Sequence, residues 1–133
     1  MLYLSAQPDK FYFLWQLQLQ LFNFGKLGIR SKDIHVLIGY NSNKGLSKEF
    51  ENFVGQNKHA TFFIYPDERK SRCYLSSLRP HIIAKHFRKY PELEIENIFY
   101  HDSDIVFNSL PDFESLCNDA AKWDKTDLCL PNH

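Results

Sequence analysis

The chain has 133 residues, 44% of them hydrophobic and 24% charged, with 16 Lys and Arg against 16 Asp and Glu. This is one globular domain's worth of chain, and its composition argues against disorder. A net charge of zero lacks the basic excess that phosphate-driven nucleic-acid binding uses. The three cysteines, Cys73, Cys117 and Cys129, are widely spaced and form no Cys-x-x-Cys pair, which argues against a zinc ribbon or a thioredoxin-type site. An odd count without a secretory signal points to a reducing, cytoplasmic setting. The longest aromatic-apolar run near the start is Phe11 to Trp15, far short of the ~20 residues of a spanning helix. No transmembrane segment is expected.

The first element is a short buried strand, Leu2-Tyr3-Leu4-Ser5, stopped at Gln7-Pro8. Asp9 is then placed to cap a helix over residues 9–27. Within it, Trp15 to Leu21 alternates Leu with Gln, as a strand does. However, Leu14, Leu17, Leu21 and Phe24 also form one helical stripe, and Trp15, Leu19 and Phe22 form a second beside it. Leu and Gln favour helix and no β-branched residue occurs here, so helix is expected. Gly25 and Gly28 end it. Ile34-His35-Val36-Leu37-Ile38 reads as a second strand, bounded by Gly39. Leu46, Phe50, Phe53 and Val54 share one face of a short helix that stops near Gly55.

Thr61-Phe62-Phe63-Ile64-Tyr65 is a third strand, ended by Pro66-Asp67. Leu75, Leu78, Ile82, Ile83, Phe87 and Tyr90 make a helical stripe, with Pro80 in its first turn. Ile98-Phe99-Tyr100 is a fourth strand leading into His101-Asp102-Ser103-Asp104. A helix over residues 111–122 turns Leu110, Phe113, Leu116, Cys117 and Ala120 inward, and residues 127–130 form a last strand. Alternation of this kind predicts an α/β fold, a Rossmann-like βαβ sandwich with a mainly parallel sheet. Ligands in such sheets bind at the carboxyl ends of the strands. Four of those ends are Ser5-Ala6-Gln7, Gly39-Tyr40-Asn41, Tyr65-Pro66-Asp67 and Asp102-Ser103-Asp104, of which the last alone concentrates charge.

In an extended chain, residues i and i+2 point to the same side. Asp102 and Asp104 therefore aim two carboxylates at one point while Ser103 points elsewhere. Two hard oxygens at a strand end suit Mg²⁺ or Mn²⁺, with substrate phosphates and water completing the shell. Nine of the 133 residues are Asp, so an Asp-x-Asp arises by chance in about half of such chains. Its context gives it weight: an apolar strand before it and Ile105-Val106-Phe107 after it.

The segment Ile98-Phe99-Tyr100-His101-Asp102-Ser103-Asp104-Ile105-Val106-Phe107 resembles the Asp-x-Asp strand of GT-A-fold glycosyltransferases. The upstream Ser77-Leu78-Arg79-Pro80-His81-Ile82-Ile83 and the opening Tyr3-Leu4-Ser5-Ala6-Gln7-Pro8 are similar too. The resemblance covers most of the chain, and its specific part is the Asp-x-Asp segment. It implies a nucleotide-diphosphosugar donor (a UDP- or GDP-sugar), a Mn²⁺ or Mg²⁺ ion and transfer of the sugar to an acceptor that the sequence does not name. It further implies that Asp104 binds the metal directly and that Asp102 contacts it through water or holds the ribose. Ser5, Ala6 and Gln7 would hold the base, Arg79 the diphosphate or the donor sugar, and Ser103 stands with the donor-binding residues. The family's members are longer, and their second half carries the acceptor site, often a further metal-binding His, and any catalytic base. This chain stops at His133. The expectation is an N-terminal fragment or a minimal donor-binding half, with no catalytic residue assigned and no efficient transfer.

Other residues are set against plainer roles. Alternation places His101 opposite Asp102, as a packed histidine. His81 and His86 are five apart and share no face, which makes them surface or boundary residues. Cys73 follows Arg69, Lys70 and Arg72, but no partner His is placed for a nucleophilic role. That basic loop is read as solvated, and Glu92, Glu94 and Glu96 as surface. Phe11, Trp15, Phe22, Phe62 and Phe87 are core by default. Tyr40, at a strand end, is the aromatic best placed to stack on a base.

Two other functions fit the same residues. Asp102-Ser103-Asp104-Ile105-Val106 also resembles the nucleophile strand of haloacid-dehalogenase-type phosphatases, with Asp102 as nucleophile and Asp104 as acid/base. Three βα units precede it here, whereas that motif usually opens its domain, and Ile105 stands where that family usually has Gly. A non-enzymatic module that binds a nucleotide or a partner protein predicts no dependence on divalent metal.

Overall fold

The computed structural model describes residues 1–125. Its elements are strand β1 (Leu2–Pro8), helix α1 (Phe11–Lys26), β2 (Ile34–Asn41), α2 (Lys48–Gln56), β3 (Thr61–Asp67), α3 (Leu78–Lys89), β4 (Ile98–Tyr100) and α4 (Phe113–Lys125). The fold is α/β, with all four strands parallel in the order β3-β2-β1-β4. This is the expected Rossmann-like βαβ arrangement. The expected strand at residues 127–130, and Cys129 within it, lie outside the described residues.

Both faces of the sheet are covered. On one, α1 packs Leu14, Leu17, Leu21 and Phe24 onto Tyr3, Ile34, Val36 and Ile38, and α2 adds Phe50 and Phe53. On the other, α3 packs Leu78 and Ile82 onto Leu4, Ala6 and Leu37. Burying each such side chain contributes roughly 1.5–3 kcal/mol. With both faces covered, β1 is buried at every residue rather than at alternate ones, Ser5 and Gln7 included, as strands of parallel sheets are. The Leu-Gln run is helical because the apolar stripe and the two glutamines Gln16 and Gln20 are all needed on one buried face.

Several expectations are corrected. The first three strands each run two or three residues further than predicted, to Pro8, Asn41 and Asp67. Pro66 does not end β3 because β3 pairs only with β2 among the described residues, and a proline is tolerated on such an edge. Asp9 does not cap α1. Lys10 holds that position without a side-chain bond. The Asp9 carboxylate instead accepts from Ser47 N at 2.6 Å, and Ser47 Oγ in turn caps α2 by accepting from Phe50 N. Phe11, Trp15 and Phe22 are not core. With Tyr12 and Leu19 they form an exposed apolar stripe on the outer side of α1. Phe62 and Phe87 are half-buried against the two cores, as expected of them. On α4, Phe113 reaches the core and Cys117 is partly covered, but Leu116 and Ala120 face outward, as does Leu110 just before the helix.

His86 is a further correction. It is fully buried between α3 and the sheet. Tyr65 Oη lies 2.7 Å from its Nδ1, and His35 Nδ1 lies 3.1 Å from its Nε2. A neutral ring meets both partners, accepting on one nitrogen and donating from the other. Burial first, then the neighbouring His35 and Lys89, push its pKa down to about 4 from the ordinary 6.5. Its neutral form is the one the fold holds, so its contribution is complete above pH 6.5 and is lost as pH falls towards 4. The expected loss across that window is about 3 kcal/mol. Urea-unfolding midpoints taken every half pH unit should fall through the window, and His86→Gln should flatten the profile. A wild-type profile flat from pH 7 to 4 would refute this.

Gly39 marks where α3 begins over β2. A Cβ there would stand 2.9 Å from Leu78 Cδ2 and 3.0 Å from Leu78 Cγ, and Leu78 is itself buried. Gly39→Ala should therefore cost about 1–3 kcal/mol by pushing the first turn of α3 off the sheet, measured as a lowered melting temperature.

Candidate functional site

The strand order sets the site. The chain steps from β1 to β2 to β3 in one direction, then returns to place β4 on the other side of β1. A cleft opens beyond the carboxyl ends of β1 and β4, between α1 and α3, which cover opposite faces of the sheet. His101-Asp102-Ser103-Asp104 follows β4 directly into this crevice.

This segment is a turn rather than a continued strand, yet its side chains still alternate. His101 and Ser103 are buried, whereas Asp102 and Asp104 are exposed. His101 is the packed histidine expected: its ring lies against Phe24 and Phe99, and Nδ1 sits 3.0 Å from the Asp102 carbonyl. Burial lowers its pKa, so the neutral ring donates from Nδ1. Ser103 Oγ donates to Gln16 Oε1 at 2.6 Å, and both residues lie in the wall of the cleft. Its hydroxyl is engaged inside the protein rather than offered to a donor.

Asp102, Ser103 and Asp104 line one cleft of about 190 Å³ together with Tyr12, Phe13, Gln16 and Arg79. Arg79, in the first turn of α3, puts Nη1 3.5 Å from Asp102 Oδ1 and lays its guanidinium over the Phe13 ring. The site thus holds two accessible carboxylates and one cation that no other carboxylate contacts among the described residues. No group of three or more His, Cys, Asp or Glu is placed to hold a metal among the described residues. A divalent cation fits this donor set if phosphate and water oxygens complete its shell, which is how Mg²⁺ is usually held.

A second charged cleft lies over the ends of β1, β2 and β3. It measures about 210 Å³, and its lining includes Lys10, Tyr40, Asn41, Asp67, Arg69 and Arg72. Charge is therefore not confined to the fourth strand end. The loop after β3 is not simply solvated either. The Arg69 guanidinium bonds both Asp67 oxygens, at 2.9 and 2.8 Å, and also Ser77 Oγ and the Tyr74 carbonyl. Arg72 reaches the Asp67 carbonyl and Ser42 Oγ. The Arg69 bonds outweigh burial and hold the Asp67 carboxyl down at about 2. Arg72 is more exposed and, with Lys10 and Tyr40, remains open to a ligand.

Ser5, Ala6 and Gln7 do not line either cleft. All three are buried within β1, and Gln7 Nε2 donates to the Leu37 carbonyl at 2.7 Å. The strand continues through Pro8, so the open strand end is Pro8-Asp9-Lys10. Of the residues expected at the site, Asp102, Ser103, Asp104 and Arg79 come together in one cleft, Ser103 with its hydroxyl bonded to Gln16, and Tyr40 lies in the second cleft.

Comparison with protein-family models, curated proteins and solved structures gives no match. The site is therefore read from its own chemistry. No helix among the described residues is long and apolar enough to cross a membrane.

Removing one partner of a covered ion pair leaves the other charge stranded. Asp67 and Arg69 are each 9% exposed at the side chain, so Asp67→Ala should destabilise the fold by about 3 kcal/mol. An unchanged urea midpoint at pH 7 would show that the pair contributes nothing. Asp67's contribution persists down to its ordinary pKa of 3.8 and disappears only towards pH 2, below the window assigned to His86.

Proposed function

We propose that this chain is the donor-binding part of a metal-dependent glycosyltransferase of the GT-A type. On this reading it holds a nucleotide-diphosphosugar with Mn²⁺ or Mg²⁺. The observation that carries the reading is the pairing of exposed Asp102 and Asp104 at the β1–β4 crevice, with Arg79 against the same cleft.

The chain's own groups divide the work by chemistry. Asp102 and Asp104 supply hard oxygen ligands, Asp104 the direct one. The bound cation would neutralise charge on the departing diphosphate. Arg79 reaches the same phosphates by exchanging its contact with Asp102 for a charge-assisted bond to phosphate oxygen. The nucleoside side of the donor fits the second cleft, where Tyr40 offers a ring face and Arg72 and Lys10 offer positive charge. Leu78 lines that cleft and Arg79, its neighbour in α3, lines the first, so one extended ligand can span both.

Calorimetric titration of UDP and GDP, with Mn²⁺ and with EDTA, tests this. Binding of one nucleotide should require Mn²⁺ and weaken by about tenfold or more in Asp104→Ala. Equal binding in EDTA, or no binding of either nucleotide to folded protein, would overturn the reading.

A further inference from the structure

The turn that carries the acidic pair is gripped from one helix. Gln16, Gln20 and Asn23 lie at i, i+4 and i+7 on α1, on one side of the helix. Each reaches the segment after β4. Gln16 Oε1 accepts from Ser103 Oγ at 2.6 Å. Gln20 Nε2 donates to the carbonyls of Asp102 at 2.8 Å and Ile105 at 3.1 Å. Asn23 closes a two-way pair with Phe107, donating to its carbonyl and accepting from its N–H, both at 2.9 Å. Gln16 and Gln20 are buried, at 5% and 1% exposure.

This placement is more than packing. The two carbonyls that Gln20 bridges belong to Asp102 itself and to the residue after Asp104. One side-chain amide therefore spans the acidic pair and fixes the backbone on both sides of it. Gln16, one turn earlier, draws Ser103 inward, which turns the flanking carboxylates outward into the cleft. Asp102 and Asp104 make no hydrogen bond through their own side chains among the described residues, apart from the Arg79 contact of Asp102. Their aim is thus set through the backbone.

We propose that Gln20, assisted by Gln16, is the positioning residue of the cation site: it holds the Asp102–Asp104 turn in the shape that presents both carboxylates to one ion. This rests on the sugar-nucleotide reading above. Outer groups that orient metal-binding carboxylates typically change affinity by about 10–100-fold when removed. Gln20→Met removes the two donors while keeping an unbranched side chain of similar bulk.

Two measurements test it. Hydrogen–deuterium exchange of the metal-free protein should show faster exchange at residues 102–107 in Gln20→Met, with the β1 and β2 amides unchanged. Electron paramagnetic resonance titration of Mn²⁺, in the presence of UDP or GDP, should give a Kd raised by about 10–100-fold in Gln20→Met. Ser103→Ala, which removes only the Gln16 bond, should raise it less. Ser103→Ala also keeps the test open if Gln20→Met fails to fold, since an unchanged Mn²⁺ Kd in that variant would count against the Gln16 arm and the proposal with it. A purely structural Gln20 would lower the melting temperature and leave Mn²⁺ affinity below that temperature unchanged, which would overturn the proposal alone. Wild-type protein that binds no Mn²⁺ with either nucleotide would instead overturn the sugar-nucleotide reading, and the positioning role with it.

Discussion

Beyond Tyr100 the chain leaves the sheet, and its backbone polar groups must find partners elsewhere. Strand β4 is only three residues long and its last ladder-like bond is His101 N to the Leu4 carbonyl. A buried carbonyl without a partner costs about 1–3 kcal/mol, so the path of residues 102–107 is decided by what donates to it. The donors come from α1: Gln20 to Asp102 and Ile105, Asn23 to Phe107. Phe107 then stacks on Phe24 at 5.4 Å and closes the apolar side of the same contact. The acidic turn is where it is because the first helix supplies what the sheet no longer does.

This explains a pattern that looks contradictory in the sequence. Leu and Gln alternate from Trp15 to Leu21, which matches a half-buried strand as well as a helix. In the fold, both residue types are needed on the inner side of α1, Leu for the sheet and Gln for the turn. The outer side is left with Phe11, Tyr12, Trp15, Leu19 and Phe22, which no described element covers. Hydrophobicity alone cannot tell a stripe that meets the sheet from one 100° around the helix. The polar residues decide it, because a glutamine has to be buried against a partner and a phenylalanine does not have to be buried at all.

The alternation of strands and helices, and hence the α/β class, was legible from period and turn residues. So was the pairing of Asp102 with Asp104, and the burial of His101, from simple alternation. Strand lengths were not, because Pro66 and Gly39 act as stops only where the neighbouring strand also stops. For the same reason the sequence suggests too early an end for β1, at Ser5, Ala6 and Gln7, which sit behind the open strand end. Helical spacing from His81 makes His86 a boundary residue, and nothing local in the sequence says otherwise. What buries it is Tyr65 on β3 and His35 on β2, partners 21 and 51 residues away. Long-range polar pairs of this kind leave no local periodicity. The Gln16, Gln20 and Asn23 series does leave a trace, a polar line at i, i+4 and i+7 running beside an apolar one.

Carboxylates meet two different fates at this edge of the sheet. Asp67 is covered, doubly bonded by Arg69 and depressed to about 2, so its charge is already satisfied and a ligand gains little by approaching it. Asp102 is 55% exposed at the side chain and meets one guanidinium at 3.5 Å, a contact of the kind that contributes at most about 1 kcal/mol in water. On the proposed reading, a divalent ion bearing phosphates would displace so weak a contact and release Arg79 to the phosphates in the same move. Arg69 cannot follow, being held by four bonds at once. The protein therefore separates a fixed ion pair, which shapes the loop after β3, from a loosely held one, which is free to exchange partners. The exchangeable pair is the one in the cleft between α1 and α3 beyond the ends of β1 and β4.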